Sequence, residues 1–226
     1  MERYEAKLAT AYVRGVAMKK EGLLPQERLK KPLEDLCEQE MARIIQAGEA
    51  AGLGMYHFKK RDMLPRVKAV MGFLKGIQPQ SLLDVGSGRG AFLFPFLKEF
   101  PQTAVTSADI LPHRVDMLRA VADGGIDHLT AVEKNICQWE EGESRFDVVT
   151  LLEVLEHILD VRAAVANAVR LARRYVVVTV PSQPDDNPEH IHLLTKDILA
   201  DLFTHAGCTH LHFDGVPGHL VLIAGL

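Results

Sequence analysis

The segment Asp84–Gly90 (Asp-Val-Gly-Ser-Gly-Arg-Gly) combines residue types that can hold a small charged ligand. It follows a short apolar run and precedes a segment with helical spacing, so it occupies a strand-to-helix turn. Glycines at such a turn let the backbone approach a ligand, and the start of the helix adds exposed N–H groups. In open α/β sheets, ligands bind at this edge. We therefore expect a bound cofactor at Gly86, Ser87, Gly88 and Gly90.

Asp84 discriminates between two cofactors that the glycines alone admit. Gly86-x-Gly88-x-x-Ala91 also satisfies the fingerprint of dinucleotide-binding proteins. A carboxylate at the end of the strand attracts the cationic amino-acid end of S-adenosylmethionine, whereas it would repel a pyrophosphate. An aspartate in this place can also simply cap the turn. The sequence favours S-adenosylmethionine over NAD.

A second polar group, Glu153, Glu156 and His157, follows the predicted strand Phe146–Leu152. If a helical turn begins there, these side chains share a face. His190 lies in the polar loop after the next predicted strand, which ends at the same edge of the sheet. These groups could hold Mg²⁺ or Mn²⁺, although we do not favour a metal. Alternatively, His157 with Glu156 removes a proton from an acceptor hydroxyl, or both merely shape a pocket while Glu153 contacts the cofactor.

Hydrophobic patterning predicts a doubly wound α/β domain from residue 78 to 226, after a helical N-terminal extension over residues 1–77. Strands separated by helices imply right-handed crossovers and a mostly parallel sheet. Only Asp214–Gly218 separates the last two strands, so the final strand should be antiparallel. The candidate strands are Ser81–Val85, Ala104–Asp109, His128–Glu133, Phe146–Leu152, Tyr175–Val180, His210–Phe213 and His219–Ala224. The helical segments between the first five are 90–99, 113–122, a short connection at 136–143, and 160–173.

With these motifs, residues 80–226 resemble the class I S-adenosylmethionine-dependent methyltransferases, whose fold is a seven-stranded Rossmann-like sheet with a reversed last strand. The resemblance implies that Asp109 binds the ribose hydroxyls, that Ile110 lines the cofactor, and that Asn135 and Ile136 adjoin the adenine. From the residues alone, Asp109 could instead cap the following helix. Asn135 could equally be an ordinary turn residue.

The pattern Glu153-x-x-Glu156-His157 with a later histidine is also similar to the small-RNA 3′-terminal 2′-O-methyltransferases, in which such groups hold a metal. The string Glu-Val-Leu-Glu-His is equally similar to small-molecule methyltransferases, including those of the ubiquinone pathway. We expect an enzyme that methylates a small molecule. The alternatives are metal-assisted methylation of a terminal RNA ribose and a non-catalytic S-adenosylmethionine-binding module.

Composition excludes some classes of protein. The length of 226 residues suits one domain of generous size, and the net charge of −4 carries no overall nucleic-acid signature. Three scattered cysteines and a charged N-terminal segment fit a reducing, cytoplasmic setting without a membrane anchor. Lys59-Lys60-Arg61, with Arg66 and Lys68, could hold an anionic substrate or RNA end, or form the solvated face of a helix. The oligomeric state is not indicated.

Overall fold

The computed structural model describes residues 3–59, 62–140 and 145–226. Two residues of the basic run, Lys60 and Arg61, and residues 141–143 of the predicted connection lie outside these ranges. The α-helices are α1 (Arg3–Lys19), α2 (Gln26–Lys30), α3 (Glu38–Ala50), α4 (Pro65–Ile77), α5 (Leu93–Glu99), α6 (Pro112–Asp123), α7 (Val161–Leu171) and α8 (Lys196–His205). The strands are β1 (Ser81–Val85), β2 (Ala104–Asp109), β3 (Leu129–Glu133), β4 (Phe146–Leu152), β5 (Ala172–Pro181), β6 (His210–Val216) and β7 (His219–Gly225).

The chain forms two compact units. One consists of Met1–Asp62 with Leu111–Ala131, and the other of Met63–Ile110 with Val132–Leu226. Helix α4, part of the predicted N-terminal extension over residues 1–77, lies in the second unit. The division of the chain at residue 78 stays a prediction. No described helix is both long and apolar enough to cross a membrane.

In the first unit, α1 and α6 pack with their backbones in contact. A Cβ on Gly15 would lie 1.9 Å from the Ala120 carbonyl oxygen, and one on Gly124 would lie 1.8 Å from that of Ala11. Only glycine permits so close an approach. This reciprocal pair fixes where the two helices cross.

The sheet has seven strands in the order β3-β2-β1-β4-β5-β7-β6. Strand β1 pairs in parallel with β2 and β4, β4 pairs in parallel with β5, and β7 is antiparallel to both β5 and β6. This confirms the expected Rossmann-like fold. Its centre is buried on both faces, as Val148, Val149 and Leu151 of β4 illustrate.

Some local features differ from the sequence-based expectation. Strand β6 extends to Val216, whereas β7 begins at His219 as predicted, so the hairpin turn is only Pro217-Gly218. Strand β5 begins at Ala172, three residues before the predicted start. Helix α8 was not predicted. The Thr195 side chain accepts a hydrogen bond from the Ile198 N–H, and Leu199, Leu202 and Phe203 are buried. A capped start and one apolar face are together sufficient to define this helix.

Candidate cofactor and catalytic site

The glycine loop has the left-handed backbone that its residue types predict. Gly86, Gly88 and Gly90 have φ of 68°, 55° and 76°. A Cβ on Gly86 would lie 2.7 Å from Val154 Cγ2, and one on Gly90 would lie 2.4 Å from the Phe94 ring. At Gly88 the nearest atom to such a Cβ is the Gly86 carbonyl oxygen at 3.8 Å. The loop is therefore closed by packing at Gly86 and Gly90 and open at Gly88, which leaves room for a ligand.

The side chain of Asp84, at the carboxyl end of β1, belongs to a buried network of hydrogen bonds. Its Oδ1 accepts from Thr150 Oγ1 at 2.7 Å and its Oδ2 from Ser87 Oγ at 2.6 Å. Ser107 Oγ lies 2.6 Å from Ser87 Oγ. Burial raises the pKa of the Asp84 carboxyl to about 6, the two hydroxyls oppose this rise, and the charge of Asp109 adds to it. The carboxyl is mostly ionised at neutral pH, so it both shapes the loop and offers charge to a cation.

The residues expected at the nucleoside end follow β2 and β3. Asp109 is buried at the end of β2, and Ile110 beyond it is 63% exposed. Leu111, and not Asp109, occupies the N-cap position of helix α6. Asn135 Oδ1 accepts from the Cys137 N–H at 2.9 Å, which is the ordinary turn role, and Ile136 is buried. The adenine-contacting role of Asn135 and Ile136 stays a prediction.

Glu153 occupies an unusual backbone conformation just after β4. Its φ is 60°, which non-glycine residues rarely adopt. Its side chain accepts from Thr179 Oγ1 at 2.8 Å, and His219 Nε2 lies 3.0 Å from Oε2. Arg66 Nε lies 3.7 Å from Oε1. The chain therefore turns sharply at Glu153, and Val154 then packs beside Gly86.

Glu156 lies in a short 3₁₀ turn, Leu155–His157, and is fully buried. Neither carboxylate oxygen accepts a hydrogen bond from another residue in the described ranges. Burial raises the pKa of Glu156 to about 8; its own backbone N–H and Arg66 lower it, and Glu153 and Asp185 raise it. The carboxyl group is consequently protonated at neutral pH unless a ligand compensates its charge.

His157 and His190 pack beside this carboxyl group. Their ring centroids are 4.8 Å apart. His157 Nδ1 lies 2.9 Å from the Glu189 carbonyl oxygen, and His190 Nδ1 lies 2.8 Å from Asp185 Oδ2. These oxygens only accept hydrogen bonds, so each Nδ1 faces an acceptor, and a neutral imidazole held in this way has its lone pair on Nε2. Ligand atoms of Glu156, His157 and His190 all lie within 4.8 Å of one another.

This arrangement can perform two kinds of chemistry. An imidazole lone pair beside a carboxyl group can take a proton from a hydroxyl. One carboxylate and two oriented imidazoles can equally hold a divalent cation. Two observations favour this: a buried carboxylate rarely lacks a partner, and groups that orient the imidazoles from outside are typical of metal sites. Glu153 is not a member of this group of three; its carboxylate accepts from Thr179 and lies beside His219.

Several residues of the site were not singled out from the sequence. Thr150 and Ser107 complete the Asp84 network, Asp185 orients His190, and His219 reaches Glu153. Thr150 stands between Val149 and Leu151, and a polar residue within that apolar run is a signal that could have identified it. Ser107 follows Thr106 and carries no comparable signal. Nothing local marks His219, because its contact depends on the pairing of β7 beside β5.

Comparisons with known proteins agree with this fold. The family model described as "Methyltransferase domain" matches residues 55–213. An O-methyltransferase family protein from Burkholderia thailandensis has 18% identity and a TM-score of 0.61, over 88% of this chain and 66% of that one. This chain thus spans slightly less than two thirds of that protein. No curated protein matches the sequence.

Two further solved structures are similar. Magnesium protoporphyrin IX methyltransferase from Synechocystis PCC 6803, with bound SAH, has 15% identity and a TM-score of 0.54, over 70% of this chain and 80% of that one. The methyltransferase domain of bacterial CtHen1 has 17% identity and a TM-score of 0.56, over 71% of this chain and 97% of that one.

The chain belongs to the methyltransferase domain family, since the family model covers more than half of it. The fold and the glycine loop define the class as a class I S-adenosylmethionine-dependent methyltransferase, which confirms the resemblance drawn from the sequence.

Proposed function

We propose that this protein transfers the methyl group of S-adenosylmethionine to a small-molecule acceptor. The observation that carries the proposal is the position of His157, whose Nδ1 lies 2.9 Å from the Glu189 carbonyl oxygen, so that the neutral imidazole has its lone pair on Nε2. An acceptor hydroxyl is the group that such a lone pair suits best, so we favour an oxygen acceptor over nitrogen or carbon. The acceptor oxygen attacks the methyl carbon, the sulfonium leaves as a thioether, and His157 takes the hydroxyl proton.

The cofactor would lie across the carboxyl ends of β1 and β2. Asp84 and the glycine loop meet its amino-acid end, together with Glu153, and Asp109 accepts from the ribose hydroxyls. Ile110 and Asn135 adjoin the adenine. Methyl transfer from a sulfonium requires chiefly that nucleophile, methyl carbon and sulfur be aligned. Glu156, protonated at neutral pH, then serves as a hydrogen-bond donor beside the acceptor oxygen.

The test measures transfer of a labelled methyl group to a panel of phenols, hydroxy acids and amines. We expect turnover of at least one hydroxyl acceptor, and a loss of about 10²-fold or more in kcat for His157→Asn with SAH affinity retained. His205→Asn, an exposed histidine on α8, is the matched control. Full turnover by His157→Asn would overturn the catalytic role. Cofactor binding without turnover on any acceptor would favour the non-catalytic module.

A second candidate function, metal-assisted 2′-O-methylation of a terminal RNA ribose, is favoured by the grouping of Glu156, His157 and His190 within 4.8 Å. The donor set fits a divalent cation, and the buried Glu156 carboxylate lacks another described partner. A bound cation would polarise the ribose hydroxyl and so favour its deprotonation. Against this candidate stands the net charge of −4, which carries no overall nucleic-acid signature.

Mn²⁺ titration followed by calorimetry tests this candidate. We expect saturable 1:1 binding that is lost in Glu156→Ala and His190→Ala and retained in Glu189→Ala, whose carbonyl rather than side chain takes part. Methylation of an RNA with a 2′-hydroxyl end, and not of the same RNA with a 2′-deoxy end, would support the ribose activity. Identical titrations of the wild type and Glu156→Ala would remove the metal from consideration.

A further inference from the structure

Glu153 is held by contacts from three separate parts of the second unit. Its backbone N–H donates to the Thr179 carbonyl oxygen at 2.9 Å, and its Oε1 accepts from the Thr179 hydroxyl. Arg66, in the first turn of α4, approaches Oε1, and His219, at the start of β7, approaches Oε2. A left-handed glutamate is strained, and such a conformation persists only where its surroundings determine it. These contacts are what determine it here.

His219 is itself fixed from the opposite side. Its Nδ1 lies 3.1 Å from the Pro217 carbonyl oxygen, and in the sheet it pairs with Pro181 of β5 and Val216 of β6. The Ser182 N–H donates to the Gly218 carbonyl oxygen at 3.0 Å, which ties the hairpin turn to the end of β5. Each ring nitrogen of His219 thus faces an oxygen that only accepts hydrogen bonds, a carbonyl on one side and the Glu153 carboxylate on the other.

The same contacts place Glu153 beside the cofactor loop. Val154, the next residue, packs where a Cβ on Gly86 would be. The Glu153 side chain is 22% exposed, so a ligand can reach it. A carboxylate has about four lone-pair positions. The Thr179 hydroxyl occupies one on Oε1, and His219 Nε2 lies 3.0 Å from Oε2, so acceptor capacity is left for the ammonium group of a cofactor.

We propose that His219, together with Arg66, is a positioning residue that aims the Glu153 carboxylate at the ammonium group of S-adenosylmethionine. This inference rests on the proposed role of Glu153 in cofactor binding. His219 acts through Glu153 and from the hairpin turn, which lies far from the glycine loop in sequence. The β6–β7 hairpin thereby contributes to selection of the amino-acid end of the cofactor.

Two probes separate positioning from general stability. SAH carries the amino-acid end, whereas 5′-methylthioadenosine keeps the adenosine and the sulfur and lacks that end. We expect His219→Leu to weaken SAH binding about tenfold or more, the size of effect that follows loss of a charged hydrogen bond. Binding of 5′-methylthioadenosine should stay within about twofold. His219→Gln, which retains an amide donor, should restore part of the SAH affinity, and Arg66→Met should show the same selectivity with a smaller loss.

His212→Leu is the matched control, because His212 is an exposed histidine on β6 of the same hairpin. Equal weakening of both probes by His219→Leu would mean a purely structural role and would overturn the proposal, as would unchanged SAH binding. If His219→Leu does not fold, His219→Gln and Arg66→Met provide the test, through the ratio of the affinities for SAH and 5′-methylthioadenosine.

Glu153→Gln distinguishes this inference from the function on which it rests. If Glu153→Gln leaves SAH binding unchanged, the cofactor-binding role of Glu153 fails and the inference fails with it. If Glu153→Gln weakens SAH selectively and His219→Leu does not, only the inference fails. Glu153→Gly separates backbone from side chain, since glycine adopts a φ of 60° without strain. We expect this variant to remain folded and to lose the preference for SAH.

Discussion

The Thr150 hydroxyl of β4 donates a 2.7 Å hydrogen bond to the Asp84 carboxylate on the neighbouring strand β1. This bond lowers the pKa of a carboxyl group that burial raises to about 6. Strand β4 thus influences the charge at the start of the cofactor loop, and the two strands that carry the site are coupled electrostatically.

The affinity for SAH should therefore depend on pH. If the ionised Asp84 attracts the ligand's ammonium group, as proposed above, the affinity should fall as the pH drops through about 6, by up to about tenfold per unit. Thr150→Val removes a bond that favours the ionised form, and the decline should begin at higher pH. Calorimetric titrations between about pH 5 and 8 test this, with Thr106→Val on β2 as the control. A Thr150→Val profile that superimposes on the wild type would contradict the coupling.

The buried Glu156 should make the stability of the folded protein depend on pH. Its pKa is raised from 4.5 to about 8, so the folded protein keeps a proton that the unfolded chain releases. The free energy of unfolding should consequently fall as the pH rises from about 4.5 to about 8. Glu156→Gln removes this term, and its advantage over the wild type should grow across that range. Denaturant unfolding at several pH values measures it, with exposed Glu189→Gln as the control; a constant difference would refute the prediction.

The crossing of α1 and α6 should tolerate no added methyl group. Gly15→Ala or Gly124→Ala places a Cβ within 2 Å of a carbonyl oxygen, and we expect a loss of about 2–3 kcal/mol in unfolding free energy. Gly72→Ala on α4 is the informative comparison, because no atom lies within 4 Å of its added Cβ. That change should stabilise the protein by about 0.5–1 kcal/mol through helix propensity. Thermal unfolding of the three variants measures these changes in stability. Equal changes in all three would contradict close packing of α1 against α6.

If Glu156, His157 and His190 hold a cation, Asp185 should raise the affinity for that cation without contacting it. Asp185 Oδ2 lies 2.8 Å from His190 Nδ1 and so fixes the orientation of that ring. Asp185→Asn should weaken Mn²⁺ binding about tenfold, as loss of an orienting group usually does. Asp186→Asn, the exposed neighbour, should have no effect. Titration of both variants tests this, and equal affinities would argue against orientation by Asp185.

The parts of the fold that local sequence patterns determine were predictable. The apolar runs gave all seven strands, and the spacing of Asp84, Gly86 and Gly90 indicated the cofactor loop, because turn geometry depends on adjacent residues. Helix α8 was missed although Thr195 and its apolar face carried the signal. The contact of His219 with Glu153 could not be predicted, since it follows from the place of β7 in the sheet and from a left-handed backbone at a non-glycine residue.

Strand β7 lies between β5 and β6, although it comes last of the three in sequence. During synthesis on the ribosome, β5 and β6 emerge before the strand that separates them, so each presents an unpaired edge until β7 follows. An early direct pairing of β6 with β5 would have to be undone before β7 could insert. The tight Pro217-Gly218 turn favours the productive route, because it lets β6 and β7 zip together as a hairpin that then docks onto β5 as one piece.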